Sequence, residues 1–182
     1  EVFGVDYINV TPSIRVLKAM NRVGFVRMGD PDMHCHMGIN SVPVQMAVKF
    51  NIPLVIWGEH GFMNLGGMHS YKDMVEYTTR YRKEHLLRGY DWQDFTDDGL
   101  ERLERPEIKE GLSGNDLLWA QYPSDDEIAG LRGLYLSNYV PWDGHRNARA
   151  MQALYGWEEA RQPFERTYRS FSNLDDMHEN GI

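Results

Sequence analysis

Cysteine is almost missing from the chain: Cys35 is the only one in 182 residues. That excludes an internal disulfide framework and any Cys-rich zinc module, and it points to a reducing compartment, the cytoplasm. Long hydrophobic runs are missing as well. The longest strongly apolar stretch, Ile52 to Gly58, falls far short of the roughly 20 residues that span a bilayer. No basic, then apolar leader opens the sequence, so the expectation is a chain without a membrane span or a secretory signal. Positive charge is scarce: 19 Lys and Arg stand against 27 Asp and Glu, a net charge of -8. A nucleic-acid partner requires a basic stripe, and there is none. The dinucleotide-binding glycine fingerprint, the Walker lysine motif and the serine nucleophile elbow are also absent, as are internal repeats and low-complexity tracts.

What is present is an ordinary globular composition, 42% apolar and 25% charged. At this length a domain buries roughly 70% of its unfolded surface and needs no staples. The acidity is local. Between Asp91 and Glu127 twelve acidic residues face only Arg102, Arg105 and Lys109, whereas the rest of the chain is close to neutral. This segment reads either as a solvated set of short helices and loops or as a lid or partner-docking surface.

The β-branched and aromatic residues of Val2 to Val10 predict a strand. Thr11-Pro12-Ser13 then predicts a helix through Val16, Leu17 and Met20, ending near Gly24. Ser41 and Pro43 predict the start of a second helix, apolar most of the way round and therefore buried, which Asn51 ends. Ile52 to Trp57 reads as a strand buried on both faces. Ser70 to Asp73 has the pattern of a helix start, with Gly89 as the stop. Ser124 to Glu127 is a further capping pattern, and Leu134 to Val140 a further strand. Asp143 caps a last helix with inner face Ala148, Met151 and Leu154 and with Gly156 at its end. Strands alternating with helices predict an α/β fold, a mostly parallel sheet with flanking helices. Ligands in such folds bind beyond the carboxyl ends of the strands.

That rule selects two segments. Trp57-Gly58-Glu59-His60-Gly61 directly follows a predicted strand, with Gly66 and Gly67 close behind. A carboxylate and an imidazole between glycines suit an active-site turn, although the same residues also suit a solvated turn. The second is Gly29 to Gly38, which contains His34, Cys35 and His36 just ahead of the predicted buried helix. A helix start favours anions and a reactive thiol. A metal reading would add His60, His69 or Asp30 as partners, and a core reading would bury Cys35 as a small apolar residue. Tyr139 to His145, with Trp142 and Asp143, ends the later strand and borders the same cleft. Asp175-Asp176 is a weaker candidate for cations or hydroxyls.

Several stretches, taken in order, carry a resemblance. They are Gly29-Asp-Pro with Cys35-His36-x-Gly-Ile39, Asn51 to Glu59 with Gly66-Gly67, and Tyr122 to Ile128. Tyr139 to Asp143, Tyr155-Gly-Trp157 and Thr167 to Asp176 follow. On these the chain resembles the N-acetyl sugar amidotransferase family, synthetase subunits of the PP-loop ATP pyrophosphatase superfamily that modify bacterial surface sugars in lipopolysaccharide and O-antigen biosynthesis. The resemblance implies a PP-loop fold that uses ATP and Mg²⁺ to convert an N-acetyl group of a sugar, nucleotide-linked, to an acetamidino group. A partner glutaminase subunit supplies the ammonia. It also implies catalytic roles for Glu59, Cys35 and His36. Trp57, Gly58, Glu59 and His60 would contact ATP, and Gly66, Gly67, Tyr139, Trp142 and Asp143 the sugar. The family's serine- and glycine-rich phosphate loop, its N-terminal cysteine cluster and its C-terminal helical end are not in the sequence. The expectation is therefore one partial synthetase domain over 1-182, truncated at both ends, inactive alone, with 91-127 as an acidic insertion or lid. The other readings are a PP-loop relative acting on tRNA and a non-catalytic interaction module.

Overall fold

A computed structural model describes residues 3-58, 76-141, 143-163 and 170, with the backbone alone for His85 and Ser137. It is a mixed α/β structure. Helix α1 (Ile14–Met28) runs past the expected stop at Gly24 and closes at Gly29, which takes the left-handed conformation (φ 69°) that glycine adopts without cost. Gly24 is a packing residue rather than a terminator: a Cβ there would stand 2.6 Å from the Asp30 carbonyl oxygen, which crosses over it.

Helix α2 (Met33–Lys49) begins eight residues before Ser41, the predicted start. Ser41 faces inward and its hydroxyl donates to the Ala120 carbonyl at 2.9 Å, so it ties α2 to a distant segment instead of capping a helix. Pro43 lies inside the helix. The buried stripe Met33, Met37, Val44 and Ala47 follows helical spacing and outweighs that missing donor. Asn51 turns the chain with φ 54° into strand β1 (Leu54–Trp57).

Strand β2 (Glu76–Tyr77) follows, and Thr78 then caps α3 (Thr79–Tyr81), its hydroxyl accepting from the Tyr81 N–H at 3.1 Å. The chain continues as a π-helical turn over Arg82–Leu86 and reverses at Gly89, near the expected stop. The long helix expected from Ser70 to Gly89 is not continuous: Glu76–Tyr77 is extended, and residues 70-75 lie outside the described residues. The acidic segment holds 3-10 turns at Trp92–Phe95, Pro106–Ile108 and Gly114–Ala120, with α4 (Asp97–Arg102) among them. Ser124 and Glu127 make the reciprocal bonds of a capping box, although only turns follow. Strand β3 (Arg132–Tyr135) is shorter than predicted because the chain coils into a 3-10 turn at Leu136–Asn138. Helix α5 (Gly144–Tyr155) starts at Asp143 and ends at left-handed Gly156, as the capping residues predict. Of its expected inner face Ala148 is buried, while Leu154 is 70% exposed.

The described sheet has the order β1-β3-β2. β1 pairs parallel with β3, Leu54 opposite Arg132 and Trp57 opposite Tyr135, and β2 pairs antiparallel with β3. A mostly parallel sheet was expected; three mixed strands are described. β1 also departs from the expected double-sided burial, since Leu54 and Ile56 are exposed and only Val55 and Trp57 are half-covered. The strand predicted over 2-10 is not formed by residues 3-10: they have no regular structure, and Val5 and Tyr7 are 77% and 85% exposed. β-branched residues favour a strand only where a neighbour supplies backbone pairing and side-chain packing, and no described strand does so here.

Two cores result. The larger joins Val16, Met20 and Val23 of α1 to Met33 and Met37 of α2 and to Phe95, Leu100, Leu112 and Leu117 of the acidic segment. The smaller is aromatic: Tyr77, Tyr81 and Tyr135, with Trp57, Leu86 and Tyr122 against them. Leu86 packs on the second core and Leu87 in the first, so one peptide step joins them.

Candidate functional site

Parallel pairing in register puts the carboxyl ends of β1 and β3 side by side, with Trp57 against Tyr135. Of the residues predicted to form the site, Trp57 and Gly58 lie at this edge. The Trp57 ring meets Tyr77 at 5.1 Å between centroids, and no described atom lies within 4 Å of where a Cβ on Gly58 would stand. Tyr139 follows the carboxyl end of β3 and is 57% exposed. Asp143 caps α5, accepting from the Arg146 N–H at 2.9 Å; that bond, with the charges of Arg146 and His145, holds its carboxyl below the usual range. Glu59, His60, Gly66, Gly67 and Trp142 lie outside the described residues, as do His69, Asp175 and Asp176.

The second predicted segment falls inside a helix. Cys35 and His36 occupy the first turn of α2, where Cys35 is exposed and His36 buried. An exposed Cys35 removes the reading of it as a core residue. His36 turns toward Asp30, its Nδ1 3.9 Å from Oδ2. Asp30 is 1% exposed: its Oδ1 accepts from the Asp32 N–H at 2.9 Å, and its Oδ2 lies 3.1 Å from Nη2 of Arg88. His34 bonds through Nδ1 to the Pro31 carbonyl at 2.9 Å. Among the described residues no group of three or more His, Cys, Asp or Glu is placed to hold a metal ion.

Sequence reading passed over the aromatic group at the sheet edge. Tyr77 touches Tyr81 at 5.7 Å and Tyr122 and Tyr135 at 6.3 Å between centroids. Arg82, 3% exposed, lies 4.1 Å from the centre of the Tyr122 ring and directs both terminal nitrogens at Asp91, at 3.3 and 3.4 Å. Burial, more than any neighbour, pushes the phenols of Tyr77, Tyr81, Tyr122 and Tyr135 above the ordinary tyrosine value. They stay protonated across the neutral range and can donate. Gly133 of β3 makes the cluster possible, because a Cβ there would stand 2.8 Å from Tyr77 Cβ and 3.3 Å from Trp57 Nε1. The one available signal was Tyr77-x3-Tyr81-Arg82, four residues apart as on a helix face, but its meaning depends on Tyr122 and Tyr135, which only the fold brings in.

The acidic segment is engaged rather than bare. Arg15, Arg22 and Arg27 of α1 pair with Asp116, Glu110 and Asp94, and Arg82 with Asp91. No helix among the described residues is long and apolar enough to cross a membrane. No family model matches the chain, and none of the curated proteins compared with it matches either.

Proposed function

We propose that the chain is the central part of an ATP-dependent N-acetyl sugar amidotransferase of PP-loop type, acting in the cytoplasm with ammonia from a glutaminase partner. The observation that carries the reading is the ordered run of family-like stretches from Gly29 to Asp176. The placement of Trp57 and Gly58 at the carboxyl edge of a parallel strand pair is compatible with it, since α/β proteins bind ligands there. In this reading ATP binds at that edge beside Gly58, where no described atom lies within 4 Å of an added Cβ. ATP supplies the activation that makes the acetamido oxygen a leaving group: that oxygen departs on AMP, pyrophosphate is released, and ammonia forms the new C–N bond. In this reading Trp57 packs against the bound nucleotide, and Glu59 holds Mg²⁺ or orients ammonia. Tyr139 and Asp143 border the sugar.

The test uses the complete enzyme with ATP, ammonium and UDP-linked N-acetyl sugars, read by mass spectrometry for exchange of one oxygen for NH and by pyrophosphate release. Product is expected with the wild type. Glu59→Gln is expected to lower turnover about 10²-10³-fold, the usual loss for a preorganised charged group, with the melting temperature unchanged. Absence of product over a panel of such sugars would remove the assignment, and full turnover in Glu59→Gln would remove that residue from the site.

A further inference from the structure

A groove of about 480 Å³ lies between α1 and the acidic segment, and none of its lining residues belongs to the sheet edge. Helix α1 supplies Phe25 and Val26, the turn after it Pro31, and the acidic segment Glu107, Ile108 and Glu110. The helix buries Val16, Ala19, Met20, Val23 and Gly24. Phe25 and Val26 lie off that stripe and are 61% and 53% exposed, although both are large and apolar. Single exposed apolar residues need no explanation, but two that line one groove with Pro31 and the half-buried Ile108 form a patch.

The exposure of the walls decides the kind of guest. A small molecule is typically enclosed over about 70-90% of its surface. Walls that are themselves more than half exposed cover one face of a guest only, which suits an apolar side chain standing out from a larger surface. Charge decides what flanks that side chain. The twelve acidic residues of 91-127 meet Arg102, Arg105 and Lys109 within the segment and Arg15, Arg22, Arg27 and Arg82 from outside it, which leaves an acidic excess. At the groove Glu110 pairs with Arg22 and Glu107 with Arg105, in pairs open to solvent and therefore screened and exchangeable. Lys109, between Ile108 and Glu110, reports the sign of the field. Its hydrogen bond to Glu101, with the charges of Glu101, Asp97 and Asp98, holds its ammonium above the usual lysine value. A cation brought beside it meets the same acidic surface.

We propose that this groove docks a partner protein through one large apolar side chain flanked by lysine or arginine. The anchor packs on Phe25, Val26, Pro31 and Ile108, and the flanking cations face the carboxylates of the acidic segment. Removing Phe25 and Val26 from water supplies affinity, while the charges speed encounter and select the partner. None of this rests on the amidotransferase reading, since the groove shares no residue with the ATP edge.

The test is binding of defined peptides. The 182-residue chain is titrated, by fluorescence anisotropy, with labelled Arg-Lys-Leu-Phe-Lys-Arg. Two controls are Arg-Lys-Ser-Ser-Lys-Arg, which lacks the anchor, and Glu-Glu-Leu-Phe-Glu-Glu, which lacks the positive charge. Saturable binding of the first peptide is expected, about tenfold tighter than either control, as for the loss of an anchor residue, and weaker as salt is added. Phe25→Ser and Glu107→Lys should each weaken it about fivefold or more. Val26→Thr, nearly equal in shape, should act in the same direction. All three side chains are exposed in the free chain, so the melting temperature should stay at the wild-type value. No saturable binding overturns the proposal. Equal binding of the basic peptides with and without the anchor reduces the effect to charge alone and overturns it too. So does binding that none of the three variants alters, because the peptide then sits elsewhere.

Discussion

Asp30 illustrates how much one buried carboxylate can organise. It sits in the turn between α1 and α2, accepts from the Asp32 N–H, and faces His36 on one side and Arg88 on the other. Arg88 belongs to the turn after α3, so this carboxylate bridges the two helical regions. Removing one partner of a fully buried ion pair typically costs 3-5 kcal/mol, but Arg88 is half exposed and can return to water. Asp30→Asn is therefore expected to destabilise by about 1-3 kcal/mol, read as the shift in urea midpoint at constant slope. A midpoint equal to wild type would show that the bridge carries no stability. In the sequence Asp30 belonged to a Gly-Asp-Pro turn. Nothing local distinguished it from Asp32 two residues on, because burial came from elements dozens of residues away.

Helix α1 shows the same division at the next scale. Its apolar spacing was legible, and so was the tendency of the acidic segment to break into short helices. The pairing of one with the other was not. Arg27 is the strongest of the three contacts: it is largely buried, donates to the Asp94 carbonyl at 2.7 Å and to its carboxylate at 3.3 Å, and stands 5.0 Å from the Tyr90 ring centre. Arg15 makes a closer ion pair with Asp116, 2.9 Å, but its side chain is 60% exposed. Exposed pairs contribute little after screening and side-chain entropy. Arg27→Ala is expected to cost about 2 kcal/mol through lost packing and a stranded carbonyl, and Arg15→Ala less than about 0.5. Thermal melts of the two variants decide this; equal losses would mean that charge count, not burial, sets the contribution of α1.

For the whole molecule the aromatic core sets an alkaline limit. Burial holds the phenols of Tyr77, Tyr81, Tyr122 and Tyr135 above their unfolded value near 10. Above that pH the unfolded chain releases protons that the folded one retains, so the stability gained is fully present below about pH 10 and is lost as pH rises beyond it. Melting temperature should be flat from pH 8 to about 9.5 and fall steeply above. Phenolate absorbance of these four should appear together with unfolding. Free titration of all tyrosines in a still-folded chain would contradict the packing. The acid side has the opposite sign: Glu76, Glu110 and Asp116 are held below their usual range by Arg132, Arg22 and Ser113. Their contribution is present above the unfolded carboxyl value and is lost as pH falls through the lowered one.

The sequence by itself determined what is local. Asp143 begins the last helix because its side chain reaches the N–H of Arg146, and Gly156 ends it in the left-handed conformation that glycine adopts without cost. The mixed α/β class followed from helical and extended periodicities in alternation, and Trp57-Gly58 at a strand end from the apolar run before it. The tertiary structure alone decided what lies across from each of these. Ser41 and Gly24 look like a start and a stop, but they serve as contacts because Ala120 and Asp30 come to them. Residues 3-10 have strand-forming side chains but no described strand beside them. Tyr81, Tyr122 and Tyr135 gather around Tyr77 because β3, arriving more than seventy residues after β1, lies between β1 and β2 and brings Tyr135 with it. Propensity and capping act within a few residues, whereas burial and charge pairing depend on groups that only the folded chain makes neighbours.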